Sequence, residues 1–209
     1  MRVSTAISKL WLPHTLVIML FAGSVAHAAS SVTDPAGDYD GGTSCGGLIC
    51  EPFQDITAAE ITHVAGGLRM TMTLAASPST AVLTSPGVKE ITWAWRFDTD
   101  PSTFPKGYPL PNGIDSPFEA IVEMRYDGTH FYGQTVDRRP LLSGADAIVT
   151  PITVNIIGNG LSVVVPTGAL SLPDGLRWRA TTNGFMGTTG SLGQYPVDVT
   201  TFVTLNAGD

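Results

Sequence analysis

Basic residues are scarce in this chain. Lys and Arg number 11 against 18 Asp and Glu, for a formal net charge of −7, and no basic cluster offsets the acids. Such a surface repels nucleic acid and anionic lipid, which excludes both as partners, and suits neutral ligands and divalent cations. Cysteine is nearly absent too: only Cys45 and Cys50 occur, in "CGGLIC". Helical patterning is missing altogether. No stretch of helical length carries an apolar face at i, i+3, i+4 and i+7, and 23 glycines and 15 prolines would interrupt one in most places. An internal repeat, a linker and a low-complexity tail are likewise lacking.

The apolar run "LVIMLFAGSVA" is shorter than the ~20 residues a bilayer span needs, and no second hydrophobic block follows it. Arg2 and Lys9 precede it, and "AHA" at Ala26, His27 and Ala28 has the small-x-small form that signal peptidase accepts. Residues 1–28 are therefore expected to be a signal peptide, followed by one domain over 29–209. The product would be secreted or periplasmic, with no membrane insertion. Losing Arg2 and Lys9 with the leader would move the net charge to about −9. No cysteine directly follows the cleavage site, which argues against a lipoprotein anchor.

Export would carry Cys45 and Cys50 to an oxidising compartment, where a disulfide is expected. Gly46 and Gly47 let the backbone turn tightly enough for the sulfurs to meet. In the chain-entropy picture so small a loop contributes roughly 2 kcal/mol. The alternative is a zinc or redox pair, but four intervening residues do not fit C-x-x-C, and no histidine is near enough in sequence to complete a zinc set.

What is abundant is period-two alternation. "LRMTMTL" sets Leu68, Met70, Met72 and Leu74 against Arg69, Thr71 and Thr73, and "ITWAWRFD" sets Ile91, Trp93, Trp95 and Phe97 on one side. Asp127-Gly128 and Asn159-Gly160 are hairpin signals, and Gly66-Gly67 is expected to join "ITAAEITHV" to its successor. "PTGALSL" has room for a single helical turn. Nine or ten short strands must hide their edges, which predicts an all-β, antiparallel two-sheet β-sandwich of jelly-roll-like kind.

Two segments concentrate acids. "TDPAGDYDGG" holds Asp34, Asp38 and Asp40, and the proline-rich connection from Asp98 to Phe118 holds Asp98, Asp100 and Asp115. A structureless loop that long needs something to hold it. Calcium takes six to eight oxygens, and clustered aspartates in glycine-rich backbone supply both carboxylates and carbonyls. The competing reading is that Asp34 and Asp38 make Asx-turns and Asp98 ends a strand. No glutamate occupies the twelfth position of an EF-hand. Of the two clusters, Asp98 with Asp100 is the stronger on sequence.

"VTDPAGDY", then "DITAAEI", a Gly-Leu hairpin strand, "WRFDTDP", "GID", "YDGTHFYG" and "LRWRATT" together resemble the secreted β-sandwich domains grouped as DOMON-like or carbohydrate-binding family 9-like, over about residues 31–204. The resemblance implies a non-catalytic module that binds sugars and holds calcium structurally. By position it points to Asp34 and Asp38, and to Asp98, Asp100 and Asp115.

A pyranose stacks its CH face on an exposed aromatic ring. Trp93 and Trp95 share a face with Ile91 and Phe97 and read as core. The ligand-binding candidates are Tyr108 and Phe104 in the long loop, and Trp178, although the last also fits a core stripe with Leu176 and Ala180. Chemistry for catalysis is thin. His63 and His130 fit no ligand spacing, "GTTGS" is not a nucleophile elbow, and Glu119 and Glu123 are too far apart along a strand for a glycosidase pair. Some relatives of this sandwich class hold haem through methionine and histidine; Met70 and Met72 read instead as core filler, so no haem is expected. The expectation is an exported, carbohydrate-binding-like module that is not an enzyme. The alternative is an exported structural or surface-interaction protein with no small-molecule ligand.

Overall fold

The computed structural model describes residues 29–39, 45, 48–100, 102, 108–109, 115–116, 118–186 and 193–206. The expected signal peptide lies outside these residues. Along the third strand, Met70, Met72 and Leu74 are buried while Arg69 and Thr73 are exposed, as period-two alternation requires of a strand with one wet face. That strand belongs to a five-stranded antiparallel sheet in the order β1 (Ser30–Thr33), β2 (Ile56–Val64), β3 (Gly67–Leu74), β11 (Gly160–Pro166), β10 (Val154–Ile157).

Facing it is a seven-stranded sheet centred on β4 (Val88–Asp98). β7 (Ala120–Tyr126), β8 (Phe131–Asp137) and β9 (Ile148–Ile152) follow on one side. β12 (Leu176–Met186) lies on the other, paired with both β13 (Gly193–Val199) and β14 (Val203–Leu205). β5 (Tyr108–Pro109) and β6 (Asp115–Ser116) form a two-residue ribbon. The protein is thus an all-β, antiparallel two-sheet sandwich. Fourteen strands are described rather than nine or ten. The surplus falls in β1, β5, β6 and β14, of two to four residues each, too short to carry a periodic signal.

Strand order departs from jelly-roll interleaving. Consecutive strands are mostly neighbours in one sheet, and the long returns are β3 with β11 and β4 with β12. Only Thr153 separates β9 in one sheet from β10 in the other, so the chain crosses between layers there. The hairpins form at their expected places with altered turns. Ile157 pairs with Gly160, so the turn is Gly158-Asn159, one residue early, with Gly158 at φ +59° supplying the left-handed position. Tyr126 pairs with Phe131 across a four-residue loop, because Asp127 Oδ1 accepts the N–H groups of Thr129 and His130 at 2.8 and 2.7 Å. "PTGALSL" makes no helical turn; Thr167 bridges Leu170 instead.

Trp93, Trp95 and Trp178 are fully buried between the layers with Met70, Met72, Ile61 and Val163. Each indole N–H finds an acceptor, as a buried one must. Trp93 donates to the Phe53 carbonyl at 2.7 Å, Trp95 to the Thr71 carbonyl of the opposite sheet at 3.3 Å, and Trp178 to Ser30 Oγ at 2.8 Å. Cys45 and Cys50 form the expected disulfide. Among the described residues no helix is long and apolar enough to cross a membrane.

A candidate metal centre and the outer face of the larger sheet

Where β1 ends, Asp34 keeps the sheet register by donating its N–H to the Thr57 carbonyl at 3.0 Å, and the chain then turns through Pro35, Ala36 and Gly37. Gly37 adopts φ +85°, a conformation that L side chains resist. The turn brings Asp38 back beside Asp34. Asp198 arrives from β13, held by the Ile56 N–H at 2.6 Å on Oδ2 and by the Val199 N–H at 2.9 Å on Oδ1. One carboxylate oxygen from each of Asp34, Asp38 and Asp198 lies within 4.8 Å of the others, so this Asp cluster has the geometry to hold a metal ion.

A fourth acid flanks the cluster. Asp55, the residue before β2, is 3% exposed; its Oδ2 accepts the Gly37 N–H at 2.8 Å, while its Oδ1 is buried with no hydrogen-bond partner. An orphaned buried carboxylate oxygen is costly unless a cation or proton meets it. The electrostatics agree. Burial, then the charges of Asp38 and Asp55, raise the Asp34 carboxyl to about 6. Burial, together with Asp34 and Asp55, raises Asp198 to about 6 against the pull of its two backbone N–H donors. Asp55 is raised as well, chiefly by burial and then by Asp38, with the Gly37 N–H opposing. Among the described residues none of the four forms an ion pair.

The second acidic segment, read from sequence as the stronger cation cluster, is arranged differently where it is described. Asp98 ends β4 fully buried and is paired with Arg177 on β12, so its charge already has a partner. Asp100 is exposed and accepts the Ser102 N–H and hydroxyl at 3.1 and 2.6 Å. Asp115 lies in β6, whose backbone pairs with β5; its side chain is outside the described set.

Asp98 belongs to a charged layer on the outer face of the seven-stranded sheet. β4 is buried on both faces, so Thr92, Ala94 and Arg96 are as enclosed as the tryptophans between them. Arg125 bridges Glu90 at 2.7 Å and Glu123 at 2.8 Å; Gln134 also donates to Glu123, at 2.6 Å, and the Tyr132 hydroxyl donates to Glu90. Arg96 donates to Thr181 Oγ1 at 2.8 Å. Burial, then the neighbouring Arg138, lowers the Arg96 guanidinium to about 9, with Glu123 working the other way. Arg179 sits over the rings of Phe118 and Phe202 at 4.9 and 5.0 Å, a cation–π arrangement.

Of the expected sugar contacts, Trp178 is corrected: it is fully enclosed and cannot present a ring face. Phe104 lies outside the described residues, and Tyr108 is described only through the backbone of β5. The exposed aromatic surface is elsewhere, on the β7–β8 hairpin. Phe131 is 38% exposed and stacks on Tyr126 with ring centroids 4.5 Å apart, and Tyr132 is 41% exposed.

Sequence reading missed Asp55 and Asp198. Asp55 stands in "DITAAEI", beside the opening motif; Asp198 is one acid in "VDVTT", and its partner Ile56 is 142 residues away. Compared with models of protein families, with curated proteins and with solved structures, the chain matches none of them.

Proposed function

We propose that this protein is an exported, non-catalytic binding module of carbohydrate-binding-like kind, with a structural calcium ion held by Asp34, Asp38 and Asp198 beside Asp55. The observation that carries the reading is the convergence of three carboxylates, with Asp55 beside them bearing a buried, unpartnered oxygen and no ion pair to any of the four among the described residues. Calcium bound there would supply the charge that the chain does not. Asp34 and Asp38 would bring the N-terminal turn, and Asp198 would bring β13, so the ion would tie the start of the domain to its end.

Sugar binding is supported by the half-open ring of Phe131, which offers the apolar face that a pyranose stacks upon; Tyr132, the next residue of β8, is half-open on the opposite face of the sheet. A non-catalytic role is supported by Glu119 and Glu123, which are buried and spent on Thr99, Arg125 and Gln134. The burial of all three described tryptophans favours a second reading, a structural or surface-interaction protein without a sugar ligand.

Thermal melts with calcium chloride and with chelator, followed by a glycan array on the calcium-loaded protein, separate these. A calcium-dependent midpoint and glycan binding lost in Phe131→Ala support the first reading. An unchanged midpoint removes the metal, and a blank array with a shifted midpoint leaves the second reading.

A further inference from the structure

At the far end of β2 from the aspartate cluster, residues of both sheets line a cavity of about 400 Å³. Its walls come from both layers and from the loop over residues 167–175. Leu68 and Val165 belong to the smaller sheet, Leu205 to the larger, and Leu170 and Leu172 to the loop. The loop is braced at both ends. Thr167 N–H donates to the Gly66 carbonyl at 2.9 Å, and Gly175 N–H donates to the Leu205 carbonyl at 2.9 Å. In its middle the Ser171 carbonyl accepts Arg139 Nη1 at 2.5 Å, and Arg139 is itself gripped by Asp137 through Nε at 2.8 Å and Nη2 at 2.6 Å. A wall held at three points defines a preformed space within the size range of small-molecule sites.

The lining narrows the ligand class. Among the described residues no phenyl, phenol or indole ring borders the cavity, so a pyranose has none of these to stack on, whereas branched aliphatic side chains match an alkyl body. The polar groups bordering it include His63, Thr167, Ser171 and the exposed Asp174. A carboxylate head would face Asp174 and a chain of net charge −7, while a hydroxyl can donate to an acceptor there. We propose that this cavity binds a medium-chain aliphatic molecule with a neutral hydroxyl head, independently of the calcium and sugar sites.

Isothermal titration calorimetry of the calcium-loaded protein with 1-hexanol, 1-octanol, 1-decanol and octanoate tests this. One saturable site is expected for the alcohols, tightening about fourfold per added methylene until the cavity is full. Octanoate should bind at least tenfold more weakly than 1-octanol. Leu172→Trp and Ser171→Trp should each abolish 1-octanol binding while leaving the calcium-dependent melt intact; Ser171 is exposed, so the second variant decides if the first does not fold. Absence of saturable binding by any alcohol, octanoate binding as tight as octanol, or unaltered binding in a folded Ser171→Trp protein would overturn the proposal.

Discussion

On the outer face of the seven-stranded sheet, Glu90, Glu123 and Asp98 each meet an arginine; at the ends of β1 and β13, Asp34, Asp38 and Asp198 meet one another, with Asp55 beside them. Both regions take carboxylates out of water. In the first, burial works to lower the Arg125 guanidinium, yet Glu123 and Glu90 beside it more than offset this and hold it above its usual range. In the second, Asp34 and Asp198 climb to about 6 because desolvation and like charge act together. Among the described residues, guanidinium partners are supplied in the first place and none in the second, which leaves the second to a proton or to a cation from outside.

The largest expected effect comes from breaking the paired side. Arg125→Met leaves Glu90 and Glu123 enclosed without their cation and should cost about 3 to 5 kcal/mol in urea unfolding at pH 7. Unchanged stability would mean that the outer face is far wetter than its burial indicates.

On the unpaired side the effect should come from calcium. At a concentration about 100 times its Kd the ion should add about 2.7 kcal/mol, which for a chain of this size is about 5–10 °C in midpoint by calorimetry. Asp198→Asn should lose that gain, measured as the difference in midpoint between calcium and chelator at pH 7.5. A parent protein as stable as its calcium form would contradict the contrast.

Acidity sharpens the comparison with a smaller effect. The folded-state values of Asp34 and Asp198 lie above the ordinary carboxylate range, so between about pH 4 and 6 the folded form holds more protons than the unfolded one. The slope of stability with pH is then negative, and the metal-free protein should lose stability as pH rises through this window. Their contribution should be greater at pH 5 than at pH 7.5 in chelator, and the calcium gain should be greater at pH 7.5; Asp198→Asn should flatten both trends in a pH series of melts. Smallest of all is Asp100→Asn. This exposed loop acid should shift unfolding by no more than about 0.5 kcal/mol and leave the calcium gain untouched.

Much of the fold was legible because alternation has a local cause. Met70, Met72, Trp93 and Trp95 face the core as their spacing requires, and Cys45 bridges Cys50 because five positions and two glycines suffice. The candidate site was legible only in half. Asp34 and Asp38 are close in sequence, and one turn with a glycine at φ +85° brings them together. Asp55 and Asp198 reach them only through the pairing of strands, and Asp98 is withdrawn by an arginine 79 residues later.

The sequence by itself determined where the longer strands run, which side of them is apolar, where the disulfide closes and that acids outnumber bases, since each follows from neighbours along the chain. Only the tertiary structure decided that β4 would be covered on both faces, that Trp178 would be enclosed, and which aspartates would find arginines and which would find each other. Charge balance at a buried site is a property of groups gathered from distant strands, and one strand carries no record of what will lie across from it.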